Sequence, residues 1–286
     1  MHYKKQARYP TKTPPRYMKN IFRHWDRLKE ELSNRYIMLF LDYDGTLTPI
    51  VSSPRIALIS REAKELLNEL SNSPKCKLAI ISGRALKDII NIIGLKGIIY
   101  SGNHGLEIKG PKIKFATPVS ARYKAILKHL KNNLKKKLSF IKGAFVEDKG
   151  LSLSLHYRLV DKKNIPQVKT IFHETVILYL VRNKIKIKTG KMVLEVRPPS
   201  EWDKGKVVLW LLTRQRFALK GKNVFPIYIG DDKTDEDAFK ALEKKGLTIF
   251  VGEPKVSYAK YYLKDTGEVF EFLQKVLVLL NARNIC

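Results

Sequence analysis

Cysteine is scarce in this sequence, and so are acidic residues and long apolar runs. Cys76 and Cys286 are the only cysteines among 286 residues, which is too few for a disulfide framework or a cysteine-ligated metal site. No run approaches the ~20 apolar residues that span a bilayer, and the polar, basic residues 1–20 lack the apolar segment of a signal peptide. We therefore expect a soluble protein of the reducing cytoplasm, with no membrane partner.

Acidic residues are outnumbered by basic ones, 27 against 55, which gives a net charge of +28. Much of the positive charge lies in residues 1–35 and 122–137. Basic stretches of this kind can neutralise nucleic-acid phosphates, but no nucleic-acid-binding motif accompanies them. We interpret the charge as a solvated surface that attracts anionic substrates, and we predict no specific nucleic-acid partner. A basic nucleic-acid-binding protein is kept as a distant alternative.

Short apolar runs alternate with amphipathic segments along most of the chain. The run YIMLFL at 36–41 is typical of a parallel strand buried on both faces. Further strands are predicted at 77–81, 98–100, 225–229 and 247–251, and helices at 17–32, after the capping residue Ser60, and at 85–93, 118–138, 165–181, 204–213 and 268–280. This alternation predicts an α/β fold class with a doubly wound parallel-sheet core.

The pattern changes between residues 111 and 199, where strands alternate between apolar and polar positions. In the segment 151–158, leucines and a tyrosine point to one face and polar residues to the other. We therefore predict an inserted α+β unit. The expected division is a basic N-terminal arm at 1–20, a catalytic core at 21–110 and 200–286, and a cap at 111–199.

Two acidic clusters follow predicted strands of the core. Asp42 and Asp44 follow the first strand, and the segment 230–237 holds five carboxylates in eight residues. The carboxyl ends of parallel strands form the ligand crevice of an open α/β sheet, and carboxylates crowded there repel one another unless a cation or a proton intervenes. Because Mg²⁺ prefers oxygen ligands, we predict a magnesium site.

The order of four short motifs resembles the haloacid dehalogenase-like phosphatases. These motifs are LDYDGT at 41–46, ISGR at 81–84, Lys204 within WDKGK, and GDD at 230–232. The predicted cap lies between the second and third motifs, as in members with a C2-type cap. Four longer blocks resemble the trehalose-6-phosphate phosphatase family: GNHGLE (102–107), VEDKGLSLSLHYR (146–158), LEVRPPSEWDKG (194–205) and GDDKTDEDAF (230–239).

The resemblance implies hydrolysis of trehalose 6-phosphate through an aspartyl-phosphate intermediate. By that resemblance Asp42 is the nucleophile and Asp44 the general acid and base. Ser82 is expected to donate a hydrogen bond to the phosphoryl group, and Lys204 to pair with both Asp42 and phosphate. Mg²⁺ is expected to be held by Asp42, by Asp44 through its backbone carbonyl, by Asp231, and by Asp235 through a bound water.

Substrate-binding residues are expected in two core loops and in the cap. The resemblance implies that they include Gly83, Arg84, His104, Glu147, Lys149, His156, Arg158 and Glu195. Alternation also places Glu147 and Lys149 on one face of a strand, and a polar face suits the hydroxyl groups of a sugar. An exposed sheet face with cross-strand ion pairs would give the same pattern.

The motifs also allow other interpretations. One keeps the phosphatase chemistry and changes the substrate to sucrose phosphate, mannosyl-phosphoglycerate or a hexose phosphate. Another takes Asp42-Tyr43-Asp44 as the DxD motif of a metal-dependent glycosyltransferase, but it leaves Ser82, Lys204 and the 231–237 cluster without a role. A trehalose-6-phosphate synthase, if one acts with this chain, is expected to be a separate polypeptide.

Overall fold

The computed structural model describes residues 16–51, 56–220 and 223–282. Within these ranges the strands are β1 (Arg16–Tyr17), β2 (Lys19–Asn20), β3 (Tyr36–Leu41), β4 (Cys76–Ile81), β5 (Ile99–Gly102), β6 (Glu107–Gly110), β7 (Ile113–Ala116), β8 (Phe145–Asp148), β9 (Leu153–His156), β10 (Lys186–Gly190), β11 (Val193–Arg197), β12 (Val224–Gly230), β13 (Leu247–Val251), β14 (Val256–Ser257) and β15 (Tyr261–Leu263). The α-helices are α1 (Trp25–Leu32), α2 (Arg61–Asn72), α3 (Leu86–Ile93), α4 (Ala121–Lys137), α5 (Ile165–Val181), α6 (Lys204–Ala218), α7 (Glu236–Leu242) and α8 (Thr266–Asn281).

A nine-stranded main sheet carries the order β2-β15-β13-β12-β3-β4-β5-β6-β7. All strands from β2 to β5 in this order run parallel, and β6 and β7 extend the sheet as an antiparallel hairpin. The central strands β3 and β12 are buried along nearly their whole length. The predicted α/β class with a parallel-sheet core is therefore confirmed.

Helices cover both faces of the main sheet because its central strands are apolar on both sides. In β3, Ile37 and Leu39 belong to the apolar cluster that includes α1, α2 and α8. The neighbouring Met38 and Phe40 belong to the cluster on the opposite face, with α6 and α7. Successive strand residues point to opposite faces, and each fully buried apolar side chain of this size contributes about 1.5–3 kcal/mol.

An antiparallel small sheet with the order β10-β11-β9-β8 stands apart from the main sheet. Helices α4 and α5 pack on one of its faces and share an apolar cluster with Leu153, Leu155 and Val196. The chain enters this region after β7 and leaves it before α6. The three-part division of the chain stays a prediction, and residues 1–15 of the expected basic arm lie outside the described residues.

The helix predicted over residues 17–32 is wrong in its first half. The α-helix begins only at Trp25, because Lys19 and Asn20 are extended in β2, which pairs with β15 at the sheet edge with Lys19 opposite Tyr261, and a 3-10 turn at Phe22–His24 follows. The Asn20 side chain then accepts a hydrogen bond from the Phe22 backbone N–H (3.0 Å) and turns the chain. The hairpin β6–β7 and helix α7 were not predicted. No helix in the described ranges is both long and apolar enough to cross a membrane.

Candidate active site

A cleft lies between the carboxyl ends of the main-sheet strands and the polar face of the small sheet. It encloses about 1160 Å³ of space free of protein atoms, part of it open to solvent. Twelve residues singled out from sequence line it: Asp42, Asp44, Gly83, Arg84, His104, Glu147, Lys149, His156, Arg158, Glu195, Lys204 and Asp231. Ser82 and Asp235, the two remaining ones, are fully buried beside the cleft.

The tight turn after β3 brings the two acidic clusters together. The backbone N–H of Asp42 donates to the carbonyl of Ile229 in β12 (2.9 Å), which places the end of β3 beside the end of β12. Gly45 follows with a φ of 89°, in the left-handed region that favours glycine. A Cβ atom at this position would lie 2.2 Å from Oδ2 of Asp231. Glycine is therefore required for the close approach of this turn to Asp231.

Three carboxylates converge on one point of the cleft floor. Asp42, Asp231 and Asp235 each offer an oxygen, and these atoms lie within 4.8 Å of one another. The Lys204 ammonium lies 2.8 Å from Oδ1 of Asp42 and 2.7 Å from Oδ1 of Asp235. Three buried acids around one buried lysine carry excess negative charge, and this donor set suits a divalent cation with oxygen preference.

Asp235 is surrounded by hydrogen-bond donors. Its Oδ1 accepts from Lys204 and from the Tyr228 hydroxyl (2.6 Å). Its Oδ2 accepts from the backbone N–H groups of Asp231 (3.1 Å) and Asp232 (3.0 Å). Both oxygens already have two protein partners, so Asp235 fits a supporting position better than a direct metal ligand.

Burial and mutual repulsion dominate the electrostatics of these acids. Burial raises the pKa of Asp42 well above its usual range, and the charge of Lys204 offsets only part of this effect. Burial and the neighbouring charge of Asp235 raise the pKa of Asp231 to about 6. Burial alone would lower the pKa of Lys204, but Asp235 and Asp42 raise it well above its usual value. Lys204 is therefore charged, and an added cation would favour the ionised acids.

Asp44 is held by Arg84 from the turn after β4. The guanidinium donates to both carboxylate oxygens of Asp44, at 2.9 and 2.6 Å, and lies over the ring of Tyr43, 5.1 Å from its centre. The Ser82 hydroxyl accepts a hydrogen bond from the Arg84 backbone N–H (3.1 Å). Arg84 was expected to bind substrate, and here its contact is with the predicted acid/base residue.

A buried polar group on β11 connects the small sheet to the core. The Glu195 carboxylate accepts hydrogen bonds from Ser152 (2.9 Å), Arg197 and Lys149 (3.4 Å), and it lies 3.5 Å from the His104 ring. Burial would raise the pKa of Glu195, but Lys149 and the other cationic neighbours lower it below its usual value. Burial lowers the pKa of His104 well below its usual range. Glu195 is thus an ionised carboxylate at neutral pH.

The far end of the cleft is formed by β8 and β9. Glu147 and His156 contact each other across these strands at 2.7 Å, and the ring of Phe145 stacks on the imidazole with centres 5.7 Å apart. Arg158 donates to the backbone carbonyl of Lys191 (3.0 Å) and supports the tip of the β10–β11 hairpin. These side chains place charged and apolar groups side by side at this end of the cleft.

Several residues of the cleft were not predicted as site residues. Lys191, at the hairpin tip, reaches across the cleft to Oδ2 of Asp231 (2.7 Å). Arg197 donates to Glu195, and its position two residues later on the same strand face was the signal that could have identified it. The same alternation places Ser152 on the polar face of the 151–158 segment, whereas Asn103, which bonds Ser152, gave no such signal.

Comparison with known proteins places the chain in a family. The sequence model of the family described as Trehalose-phosphatase matches residues 40–266. The chain is 35% identical over 266 residues to trehalose-phosphate phosphatase B of Arabidopsis thaliana, covering 88% of this chain and 69% of that protein. It is 37% identical over 266 residues to trehalose 6-phosphate phosphatase RA3 of Zea mays, covering 87% and 72%.

A solved structure agrees with these sequence matches. The C-terminal domain of C. albicans trehalose-6-phosphate phosphatase is similar to this chain with a TM-score of 0.78 and 26% identity, covering 91% of this chain and 98% of that one. The matched range contains both acidic clusters, Lys204 and the small sheet. The family resemblance read from the motifs is confirmed, and this chain belongs to the trehalose-phosphatase family.

Proposed function

We propose that this chain hydrolyses trehalose 6-phosphate to trehalose and phosphate, through an aspartyl phosphate formed on Asp42. The observation that carries the proposal is the cleft itself. Asp42, Asp44 and Lys204 line its floor. The ionised Glu195 and the Lys149 ammonium line the wall that the small sheet forms. A phosphate on the floor and a sugar against the small sheet would occupy the two halves of one site.

Mg²⁺ is the proposed cofactor, because three buried carboxylates share a space of 4.8 Å with only one buried lysine among them. We assign Asp42, Asp231 and the backbone carbonyl of Asp44 as its ligands. Asp235 is assigned the role predicted for it, which is to hold a water on the ion; because four hydrogen bonds fill its acceptor sites, that water would replace one of them. When bound, the cation would neutralise phosphate charge and favour the ionised form of Asp42.

In the first chemical step, a carboxylate oxygen of Asp42 attacks phosphorus. The bond between phosphorus and the sugar oxygen breaks, and the leaving oxygen takes a proton from Asp44. Lys204 already contacts Asp42, so its charge orients the nucleophile and offsets the charge of the phosphoryl group. Ser82 is assigned as a hydrogen-bond donor to that group, although its hydroxyl here accepts from the Arg84 backbone.

In the second step, water attacks phosphorus of the aspartyl phosphate, and Asp44 takes a proton from that water. The bond between phosphorus and Asp42 breaks, and phosphate leaves. Arg84 occupies both carboxylate oxygens of Asp44 in this structure. For both proton transfers the Asp44 side chain must therefore rotate away from Arg84 toward the substrate. In the absence of substrate, Arg84 holds the Asp44 carboxylate in one orientation.

The sugar half of the site is assigned to the small sheet with α4 and α5, which we propose acts as a cap spanning residues 111–199. Glu147, Lys149, His156, Arg158 and Glu195 are its proposed sugar-binding groups, together with Gly83 and His104 from the core. Carboxylates and ammonium groups fixed by ion pairs can accept from and donate to sugar hydroxyls without first being ordered, which lowers the entropic cost of binding.

The test is phosphate release from trehalose 6-phosphate, sucrose 6-phosphate and glucose 6-phosphate, with Mg²⁺ or with EDTA. We expect selective, Mg²⁺-dependent release from trehalose 6-phosphate. Asp42→Asn should abolish it, whereas the matched control Asp88→Asn, on the exposed start of α3, should keep it. Acid quenching during turnover should trap ³²P on the wild-type chain and none on Asp42→Asn.

The possible results separate the parts of the proposal. Selective release from a different sugar phosphate would leave the core chemistry standing and contradict the assigned substrate. Release without trapped phosphate in a rapid quench would contradict the covalent step. No release from any of the three by the folded wild-type protein with Mg²⁺ would contradict the proposed function.

A further inference from the structure

Asn103 lies in the loop after β5, where that loop meets the small sheet. It is fully buried and has a φ of 50°, a left-handed conformation that asparagine tolerates better than most residues. Its amide nitrogen donates to Oε2 of Glu107 (2.6 Å) and to the backbone carbonyl of Lys149 (3.2 Å). A backbone carbonyl can only accept a hydrogen bond, so the Lys149 carbonyl fixes which way the amide faces.

The amide oxygen of Asn103 faces the other way, toward Ser152. The buried Ser152 hydroxyl lies 2.9 Å from this oxygen and 2.9 Å from Oε1 of Glu195. A hydroxyl carries a single hydrogen, so these two acceptors share it. Ser152 therefore places the Glu195 carboxylate relative to a residue of the core loop.

Lys149 is anchored to the core at both its main chain and its side chain. Its carbonyl accepts from Asn103, and its ammonium donates to the carbonyl of Gly83 (2.9 Å) in the turn after β4. The same ammonium lies 3.4 Å from Glu195. The two buried, charged groups proposed to contact the sugar are thus located by loops of the main sheet and not by the small sheet alone.

We propose that Asn103 is a positioning residue for sugar recognition: it docks the segment 149–152 onto the core and thereby sets Lys149 and Glu195. This inference rests on the proposed function of the cleft. It means that the contact of the small sheet with the core and the arrangement of the sugar half use the same hydrogen bonds. Asp42 and Lys204 of the phosphate half are not partners in these hydrogen bonds.

The substitution that tests this is Asn103→Gly, because glycine accepts the positive φ and loses only the side chain. Asn183→Gly is a matched control: Asn183 also has a positive φ, of 51°, and it is exposed in the loop after α5. Ser152→Ala removes the same bridge from the other side without touching the loop backbone, and it serves if Asn103→Gly fails to fold.

The first measurement is backbone amide hydrogen exchange without substrate. Asn103→Gly and Ser152→Ala should accelerate exchange in residues 149–156 at least about tenfold, which is the effect of losing one to two buried hydrogen bonds. Exchange in α2 should stay at the wild-type rate, and Asn183→Gly should change neither segment. Wild-type protection of residues 149–156 in both site variants overturns the inference.

The second measurement is steady-state hydrolysis of trehalose 6-phosphate. We expect the KM of Asn103→Gly to rise about tenfold with kcat within about twofold of wild type, because sugar placement is disturbed and the phosphate half is not. A fall in kcat at unchanged KM overturns the positioning role. Wild-type protein without activity on this substrate would contradict the proposed function instead, and the exchange result would still decide whether Asn103 docks the small sheet.

Discussion

Replacing Lys204 by methionine would test whether a buried cation holds the carboxylate cluster together. The Lys204 side chain is 3% exposed and contacts Asp42 and Asp235 at 2.8 and 2.7 Å. Methionine keeps most of the length of the side chain and removes its charge. Breaking a buried ion pair by deleting one partner costs about 3–5 kcal/mol, because the remaining charges stay desolvated. We expect that loss in the free energy of unfolding, and a melting temperature lower by about 6 °C or more.

The assay is urea unfolding followed by tryptophan fluorescence, in EDTA and in Mg²⁺. Lys206→Met is the matched control, since Lys206 lies two residues later in α6 with a half-exposed side chain, and it should change stability by no more than about 0.5 kcal/mol. Mg²⁺ should recover part of the loss in Lys204→Met, because ligand binding to the native state adds to its stability. Equal midpoints for Lys204→Met and wild type in EDTA would refute the assignment of Lys204 as the counter-charge of this cluster.

Three further predictions follow from contacts of the same cleft. Tyr228→Phe removes a buried hydroxyl that donates to the Asp235 carboxylate and should destabilise the protein by about 1.5–3 kcal/mol. Tyr43→Phe removes a hydroxyl that donates to a backbone carbonyl and should destabilise it by about 0.5–1.5 kcal/mol. Equal losses in urea unfolding would contradict this difference. Lys191→Met frees Oδ2 of Asp231 and should tighten Mg²⁺ binding by calorimetry, and unchanged or weaker binding would show that lysine and cation do not compete. The lowered pKa of Glu195 contributes stability that is present above about pH 4.5 and is lost as the pH falls further. Glu195→Gln should therefore reduce the slope of the free energy of unfolding against pH in the acid range. An unchanged slope would contradict this contribution of Glu195.

The elements that the sequence predicted best are those with a clear local pattern of apolar residues. The bounds predicted for β3 and β13 agree with the structure because these short runs are buried almost throughout. Those predicted for α5 agree because its buried residues Val168, Phe172 and Val176 recur at helical spacing. Asp42 and Asp231 were found for a related reason. A carboxylate that ends a buried strand has no place in the core, so it marks the edge where the strand opens to a ligand.

The contacts that escaped prediction join residues far apart along the chain. Lys191 contacts Asp231 only because the β10–β11 hairpin lies over the cleft. In the sequence, a lysine in a polar turn cannot be distinguished from a solvent-exposed lysine. Asn103 gives no pattern either, since two of its partners, Lys149 and Ser152, lie in the turn between β8 and β9 of the small sheet. Lys19 and Asn20 are extended because β2 pairs with β15, whose residues come some 240 positions later, and local periodicity carries no information about such a partner.

The register of the two central strands has a consequence for how the protein is made. Tyr36 in β3 pairs with Val224 in β12, 188 positions later along the chain. At about 5–20 residues per second of synthesis, β12 leaves the ribosome about 10–40 s after β3 does, and β3 lacks this neighbour during that time. During that interval one apolar edge has unpaired backbone groups that could join another nascent chain. Slower synthesis should therefore lengthen the time in which this edge can aggregate.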